Sequence, residues 1–145
     1  MGETIVKVTQ FAVASSGLLK VIQIGAGVGV IIYSSEKKIG AGIHILAPDS
    51  GPKPPNNPCM YANSAIPFIL EEIRKKGVRS GFSIAIAGGS SLMGNSGVTN
   101  IGPKIVGAVK SELAKNGLNI KLDKTGGTAI RTMILDIDAG KIAIT

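Results

Sequence analysis

The chain has 145 residues, a formal net charge of +7 and a hydrophobic share of 44%. That share excludes a disordered chain, and the length suits a single domain with its own core, which we place at residues 1–145. One cysteine excludes an intramolecular disulfide and is typical of a reducing, cytoplasmic setting. The basic residues are scattered and only 3% of residues are aromatic, so we expect no nucleic-acid partner.

The N-terminal residues show no positively charged segment followed by an apolar one, as a secretory signal would. The longest apolar run is interrupted by Gln23 and by glycines, and it is too short to cross a membrane as a helix. We therefore expect no membrane insertion.

The hydrophobic pattern predicts eight strands, two helices and two long loops. The strands are expected at 4–14, 18–24, 28–33, 39–46, 82–87, 118–122, 130–137 and 141–144. The helices are expected at about 63–76 and about 102–117, and the loops at 48–58 and 93–100. Pro67 belongs in a first helical turn, which favours Ser64 as the N-cap of the first helix.

These strands do not alternate regularly with helices, so we do not expect a doubly wound parallel sheet. The sequence predicts an α+β fold. We expect mixed or mostly antiparallel sheets with two main helices packed on one side.

The glycine-rich segment 25–29 does not fit a dinucleotide-binding loop. Val30 stands where that motif requires its third glycine, and no helix follows. Metal binding is also disfavoured, because one histidine and one cysteine cannot supply a zinc site without several carboxylates. We expect neither a metal nor a cofactor.

His44 is the only histidine, and it lies near the end of a predicted strand, just before the proline-rich loop. A lone histidine in an apolar strand is more often a core residue than a catalyst. As a general base it would need a nucleophile to activate, and Cys59 is the only thiol. The residues alone thus predict a soluble α+β domain with a candidate site centred on His44.

Several motifs, in order and at their spacings, give a more specific answer. They are Ile24-Gly25-Ala26-Gly27-Val28-Gly29-Val30, Lys38-Ile39-Gly40-Ala41-Gly42-Ile43-His44-Ile45-Leu46-Ala47-Pro48-Asp49-Ser50, Tyr61-Ala62-Asn63, Ala87-Gly88-Gly89-Ser90-Ser91-Leu92-Met93, Asn100-Ile101-Gly102 and Thr125-Gly126-Gly127 with Arg131. With these motifs the chain resembles the chemoreceptor glutamine deamidase family, CheD, over nearly its whole length.

The resemblance implies a cysteine-hydrolase sandwich fold and a role in chemotaxis. Members of that family hydrolyse glutamine side chains of chemoreceptors to glutamate and ammonia, using a Cys–His pair. The family's histidine corresponds to His44. The implied partners are the chemoreceptor cytoplasmic domain and a CheC-type phosphatase.

Two positions depart from the family pattern. The family's cysteine corresponds to Gly27, which has no side chain to attack an amide, and a family threonine corresponds to Val21. Loss of the nucleophile from a nucleophile–base unit typically lowers the rate by several orders of magnitude. The sequence therefore predicts a protein that keeps the family's fold but is degenerate in catalysis.

Three hypotheses follow from these departures. The protein could be a non-catalytic binding module that docks on a receptor or on a CheC-type phosphatase. It could be an active deamidase in which the proline-rich loop brings Cys59 to His44. It could also be a structural relative in which Gly27 opens space for a small molecule. We prefer the first hypothesis, the non-catalytic binding module.

Overall fold

The computed structural model describes residues 2–91 and 101–145. In these ranges it contains nine strands, two α-helices and one short 3₁₀ helix at Pro58–Met60. The strands are β1 (Glu3–Val6), β2 (Phe11–Ala14), β3 (Leu18–Ile24), β4 (Val28–Ser34), β5 (Ile39–Ile45), β6 (Phe82–Gly88), β7 (Ile120–Thr125), β8 (Arg131–Asp136) and β9 (Lys141–Ile144). The helices are α1 (Ala62–Arg74) and α2 (Gly102–Lys115).

The strands form two sheets. One is four-stranded with the order β1-β3-β8-β9, and the other is five-stranded with the order β2-β5-β4-β6-β7. The pairs β1/β3 and β6/β7 are parallel, and the other neighbouring pairs are antiparallel. The expected combination of mixed, mostly antiparallel sheets is therefore confirmed.

Two buried clusters define the layers of the fold. The inter-sheet cluster fills the space between the sheets and includes Leu19, Val21, Ile31, Met133 and Leu135. The helix-side cluster lies between the five-stranded sheet and both helices and includes Val30, Ile43, Ile69, Val109 and Leu113. Both helices thus pack on one side, as the sequence predicts. Strand β4 lies between the two clusters, and all of its residues are buried.

The prediction of a single strand at 4–14 is wrong. The structure divides it into β1 and β2, which belong to different sheets. Between them the chain turns: the N–H of Gln10 donates to the carbonyl of Lys7 at 3.0 Å, and Thr9 adopts a left-handed φ of 60°. The apolar alternation continues through this turn, so the pattern alone does not reveal it.

The start of the first helix also differs from the prediction. Helix α1 begins at Ala62 with Tyr61 as its N-cap, and Pro67 lies inside the helix. Ser64 does not cap it, because its hydroxyl donates instead to the carbonyl of Pro58 at 2.8 Å.

The strand expected from residue 118 begins at Ile120, because the N–H of Leu118 closes the end of α2 by donating to the carbonyl of Leu113 at 3.0 Å. The hairpin of β8 and β9 forms as predicted. The loop expected at 93–100 lies outside the described residues.

Candidate functional site

The candidate site lies where the glycine-rich turn between β3 and β4 meets the end of β5. In the antiparallel register of β4 and β5, Gly29 lies opposite His44 and Val28 lies opposite Ile45. Successive side chains in a strand point to opposite faces of the sheet. Val28 and Ile45 belong to the helix-side cluster, so His44 and Gly29 face the other sheet. Gly27, two residues before Gly29, faces that sheet as well.

His44 is held firmly and is almost completely enclosed. Its N–H donates to the carbonyl of Gln10 at 3.1 Å, and its own carbonyl accepts from the N–H of Thr9 at 3.0 Å. Only 2% of its surface is exposed, and its Nδ1 atom has no hydrogen-bond partner among the described residues. Because burial disfavours the charged imidazolium, the pKa of His44 falls to about 4. The ring is therefore neutral at pH 7 and is a weak base.

The imidazole points directly at position 27. A Cβ atom built on Gly27 would lie 3.0 Å from Nε2 of His44 and 2.6 Å from the backbone oxygen of Ile45. Side-chain carbons do not approach a backbone oxygen this closely, so the present geometry requires a glycine here. The structure thus brings Gly27 and His44 together, as the resemblance implies, but a Cβ at position 27 would require the carbonyl of Ile45 or the ring of His44 to shift.

This contact bears on the hypothesis that Gly27 opens space for a small molecule. The carbonyl oxygen of Ile45 and the ring of His44 crowd the position of a Cβ on Gly27, at 2.6 Å and 3.0 Å. The absent side chain therefore leaves no open space at the Cβ position itself, and the small-molecule hypothesis stays a prediction.

Backbone hydrogen bonds fix the glycine turn from the opposite side. The carbonyl of Gly27 accepts from the N–H of Gly89 at 2.8 Å, and the carbonyl of Gly25 accepts from the N–H of Ser90 at 3.0 Å. Gly88 packs so closely on the carbonyl of Gly27 that no Cβ would fit between them. The Gly88–Gly89 motif thus has a structural task, which is to clamp this turn.

Val21 lies in the inter-sheet cluster and is fully buried. Its methyl groups would lie 3.1 Å from a Cβ built on Gly29 or on Gly42, the two glycines that flank His44 on this face. The position that the resemblance assigns to a threonine is therefore close to the site and is filled by an apolar side chain. A bulge follows Val21 in β3, where Gln23 has a φ of 54°.

Cys59 lies on the other side of the five-stranded sheet. It belongs to the helix-side cluster with Ile43 and Ile45, whereas His44 faces the opposite sheet. Burial and, secondarily, the carboxylate of Glu72 raise the pKa of Cys59 to about 11, so the thiol is protonated at pH 7. The structure does not bring Cys59 and His44 together.

Two residues near the turn were quoted only as parts of motifs and received no role from the sequence. Ser90 is buried, and its hydroxyl donates to the carbonyl of Ala129 at 2.7 Å, which ties β6 to the segment before β8. Arg131 lies opposite Ile24 in the β3–β8 register, and its buried Nε has no hydrogen-bond partner within the described ranges. For Ser90 and Arg131, their positions within the family motifs were the signal in the sequence that could have indicated a role.

In the part of the chain that the structure describes, no group of three or more His, Cys, Asp or Glu side chains could hold a metal ion. Among the same residues, no helix is long and apolar enough to cross a membrane.

The fold and the site define an α+β sandwich in which a buried histidine faces a glycine turn at the end of a five-stranded sheet. Residues 46–145 match the family model described as CheD chemotactic sensory transduction, and the chain belongs to this family. That match begins after His44 and so does not include Val21, Gly27 or His44. The replacement of the family's cysteine by Gly27 stays a prediction.

Curated relatives extend the similarity over most of the chain. A probable chemoreceptor glutamine deamidase CheD of Methanococcus vannielii is 37% identical over 123 residues, which is 83% of this chain and 80% of the relative. The chemoreceptor glutamine deamidase CheD of Thermotoga maritima is 32% identical over 142 residues, 97% of this chain and 89% of the relative. A probable chemoreceptor glutamine deamidase CheD of Desulforamulus reducens is 35% identical over 90% of this chain and 82% of the relative.

Proposed function

We propose that this protein acts in the cytoplasm as a non-catalytic member of the CheD family. It binds the cytoplasmic domain of a chemoreceptor, or a CheC-type phosphatase, and regulates signalling by occupying that partner. It does not convert receptor glutamine to glutamate.

The observation that carries this proposal is the closed space at Gly27. Hydrolysis of a glutamine amide through a covalent intermediate needs a nucleophile beside the base. Here the base faces a glycine, and the carbonyl of Ile45 and the ring of His44 crowd the position where a Cβ would lie. This crowding supports a site that is packed around the glycine, as opposed to an active site that lacks only a thiol.

The electrostatics of the two candidate groups support the same proposal. A pKa of about 4 makes His44 a poor general base at neutral pH, because an efficient base has a pKa near the working pH. A pKa of about 11 keeps Cys59 in its unreactive thiol form. The side chains of His44 and Cys59 also lie on opposite faces of one sheet. Cys59 therefore cannot serve as the nucleophile that His44 would activate.

Mass spectrometry of a glutamine-bearing chemoreceptor fragment from the same organism tests the catalytic half of the proposal. The fragment is incubated with the unaltered protein, with Gly27→Cys and with Cys59→Ala, each checked for folding by circular dichroism. The relative from Thermotoga maritima, assayed on a receptor from its own organism, is the positive control. We expect conversion of glutamine to glutamate in the positive control and none with the unaltered protein.

A pull-down at low salt tests the binding half with the same fragment and with a CheC-type phosphatase. We expect the unaltered protein to retain at least one of them. Deamidation by the unaltered protein would overturn the proposal, and its loss in Cys59→Ala would establish an enzyme that uses Cys59. Deamidation by Gly27→Cys alone would contradict the closed-site argument while leaving the natural protein non-catalytic. Failure to retain either partner would overturn the binding role.

A further inference from the structure

A basic cleft lies at the end of the five-stranded sheet that is remote from His44. It encloses about 390 Å³ between the C-terminal ends of α1 and α2 and the beginnings of β6 and β7. Its lining includes three cationic side chains, Arg74, Arg79 and Lys121, together with the amides of Asn116 and Asn119. No carboxylate is among the lining residues, so the cleft concentrates positive charge in a concave surface.

The cleft is separate from the candidate site. Phe82, at the start of β6, lines the cleft, whereas Gly88, at the end of the same strand, packs on Gly27. A strand rises about 3.3 Å per residue, so these two ends are roughly 20 Å apart. A ligand in the cleft would not reach His44.

Basic residues near helix ends commonly serve to satisfy the last backbone carbonyls. The backbone already does this here for both helices. Gly77 has a φ of 90°, and the N–H of Val78 donates to the carbonyl of Ile73. Gly117 has a φ of 70°, and the N–H of Leu118 closes α2 in the same way. Helix capping therefore does not account for the three cations.

Intramolecular ion pairs do not account for them either. Four lysines elsewhere in the described residues pair with carboxylates at 2.6–3.1 Å. Arg74, Arg79 and Lys121 form neither an ion pair nor a side-chain hydrogen bond within the described ranges. Three cations without a counter-ion therefore surround one small cleft that has no acidic residue. No ion pair or side-chain hydrogen bond among the described residues explains them.

We propose that this cleft is a binding site for a compact multivalent anion of the phosphate type. Two guanidinium groups supply paired N–H donors that match phosphate oxygens, and Lys121 adds a point charge. The amide of Asn119 provides a further donor at the rim, whereas that of Asn116 already donates to the carbonyl of Glu112 at 2.8 Å. This site is independent of the proposed receptor-binding function, so failure of one leaves the other standing.

Isothermal titration of the full chain tests the proposal with inorganic pyrophosphate, tripolyphosphate and ATP at constant ionic strength. We expect saturable binding of one anion per chain, weakened about tenfold by Arg79→Gln and by Lys121→Gln, since each removes a charged hydrogen bond. Both residues are exposed, so the variants should fold. The matched controls are Lys53→Gln and Lys141→Gln, which lower the net charge equally outside the cleft and should change the affinity by less than about twofold.

The titration separates the sources of the anion. Equal affinities for tripolyphosphate and ATP would assign the cleft to the phosphate chain alone, and tighter binding of ATP would assign it to a nucleotide. Either result supports the proposal. Absence of saturable binding, or equal losses in the control variants, would overturn it. Binding of a polyglutamate peptide without binding of the small anions would overturn it in favour of an acidic protein surface.

Discussion

At the scale of single residues, glycine at position 27 allows the turn between β3 and β4 to approach the ends of β5 and β6 and the ring of His44 closely. The backbone of Gly27 is outside the left-handed region, so an L-residue could adopt its conformation. What excludes a side chain is crowding by the carbonyl of Ile45 and by the ring of His44. This distinguishes Gly27 from the turn glycines of the chain, whose positive φ would strain any other residue.

We expect Gly27→Ala to lower the free energy of unfolding by about 1–3 kcal/mol, since overpacking a well-filled site forces neighbouring atoms apart. The matched control is Gly107→Ala, in the middle of α2. A Cβ there meets nothing within 4 Å, and φ is again outside the left-handed region. The control should raise the free energy of unfolding by about 0.5–1 kcal/mol, because alanine favours helix over glycine.

Urea denaturation of the three proteins measures both changes. Opposite signs for the two glycine-to-alanine substitutions are expected. A Gly27→Ala protein as stable as the natural one would mean that the space beside His44 is open, and the closed-site argument would then fail.

His44 is the single imidazole of the chain, and its burial couples folding to pH. Its pKa falls from 6.5 in the unfolded chain to about 4 in the folded one. Between these values the unfolded chain binds more protons than the folded one, so stability falls as the pH is lowered. This contribution is complete above about pH 6.5 and is lost as the pH falls to about 4.

We expect acidification across that window to remove about 3 kcal/mol of stability through His44 alone. In His44→Gln, which cannot titrate, the dependence of unfolding free energy on pH should be flatter by that amount between pH 6.5 and 4. Parallel curves for the two proteins would mean that the ring is accessible to solvent and keeps an ordinary pKa. Carboxylates that titrate in the same window contribute equally to both curves and cancel in the difference.

The sequence singled out His44 and position 27 but did not predict their geometry. The resemblance placed both in one site, and the structure brings them into contact. The separation of Cys59 from His44 could not be predicted, because the face on which Cys59 lies is set by the 3₁₀ helix at Pro58–Met60, whose packing depends on residues distant in sequence.

At the scale of elements, the alternation of side chains along β5 places His44 on one face of the strand and the residues that pack on the helices on the other. Ala41, Ile43 and Ile45 contribute to the helix-side cluster. Gly40 and Gly42 face the other sheet, where a Cβ would meet side chains of the inter-sheet cluster, and His44 follows them on that face. Two glycines before the histidine thus allow the four-stranded sheet to pack closely, which encloses the ring and lowers its pKa.

Hydrogen bonds between residues distant in sequence fix one of the boundaries that were predicted wrongly. The turn that separates β1 from β2 is held by the bond from the N–H of Thr9 to the carbonyl of His44. Near the start of α1, the side-chain oxygen of Asn63 accepts from the N–H of Ser50 in the proline-rich loop at 3.0 Å. Local hydrophobic periodicity contains no information about either partner. It succeeded for β3 and β9, where the apolar pattern begins and ends at turn residues.

At the scale of the whole molecule, the sheet order joins strands that are distant in sequence. Strand β3 pairs with β8, and Tyr33 donates from its hydroxyl to the carbonyl of Ile137 at 2.7 Å across the two sheets. The sequence predicted the class of fold, because the class follows from the succession of elements. It did not predict which strands are neighbours, since the chain returns to β3 only after more than a hundred residues.

Because the whole molecule is basic, the proposed binding to a partner should depend measurably on salt concentration. The chain carries 16 basic and 9 acidic residues, and only part of its basic side chains pair internally among the described residues. A basic surface accelerates the encounter with an acidic partner more than it slows dissociation. Raising the ionic strength from about 0.1 M to about 1 M shortens the screening length from about 10 Å to about 3 Å.

We therefore expect association with the chemoreceptor fragment to slow about tenfold or more over that range of salt, while dissociation changes by about threefold or less. Biolayer interferometry measures both rates, and sucrose at equal osmolality controls for effects other than screening. If added salt leaves the association rate unchanged, the net charge has no part in recognition. The partner would then have to be recognised by apolar contact, for which the exposed side chains of Val8 and Phe11 are the candidates.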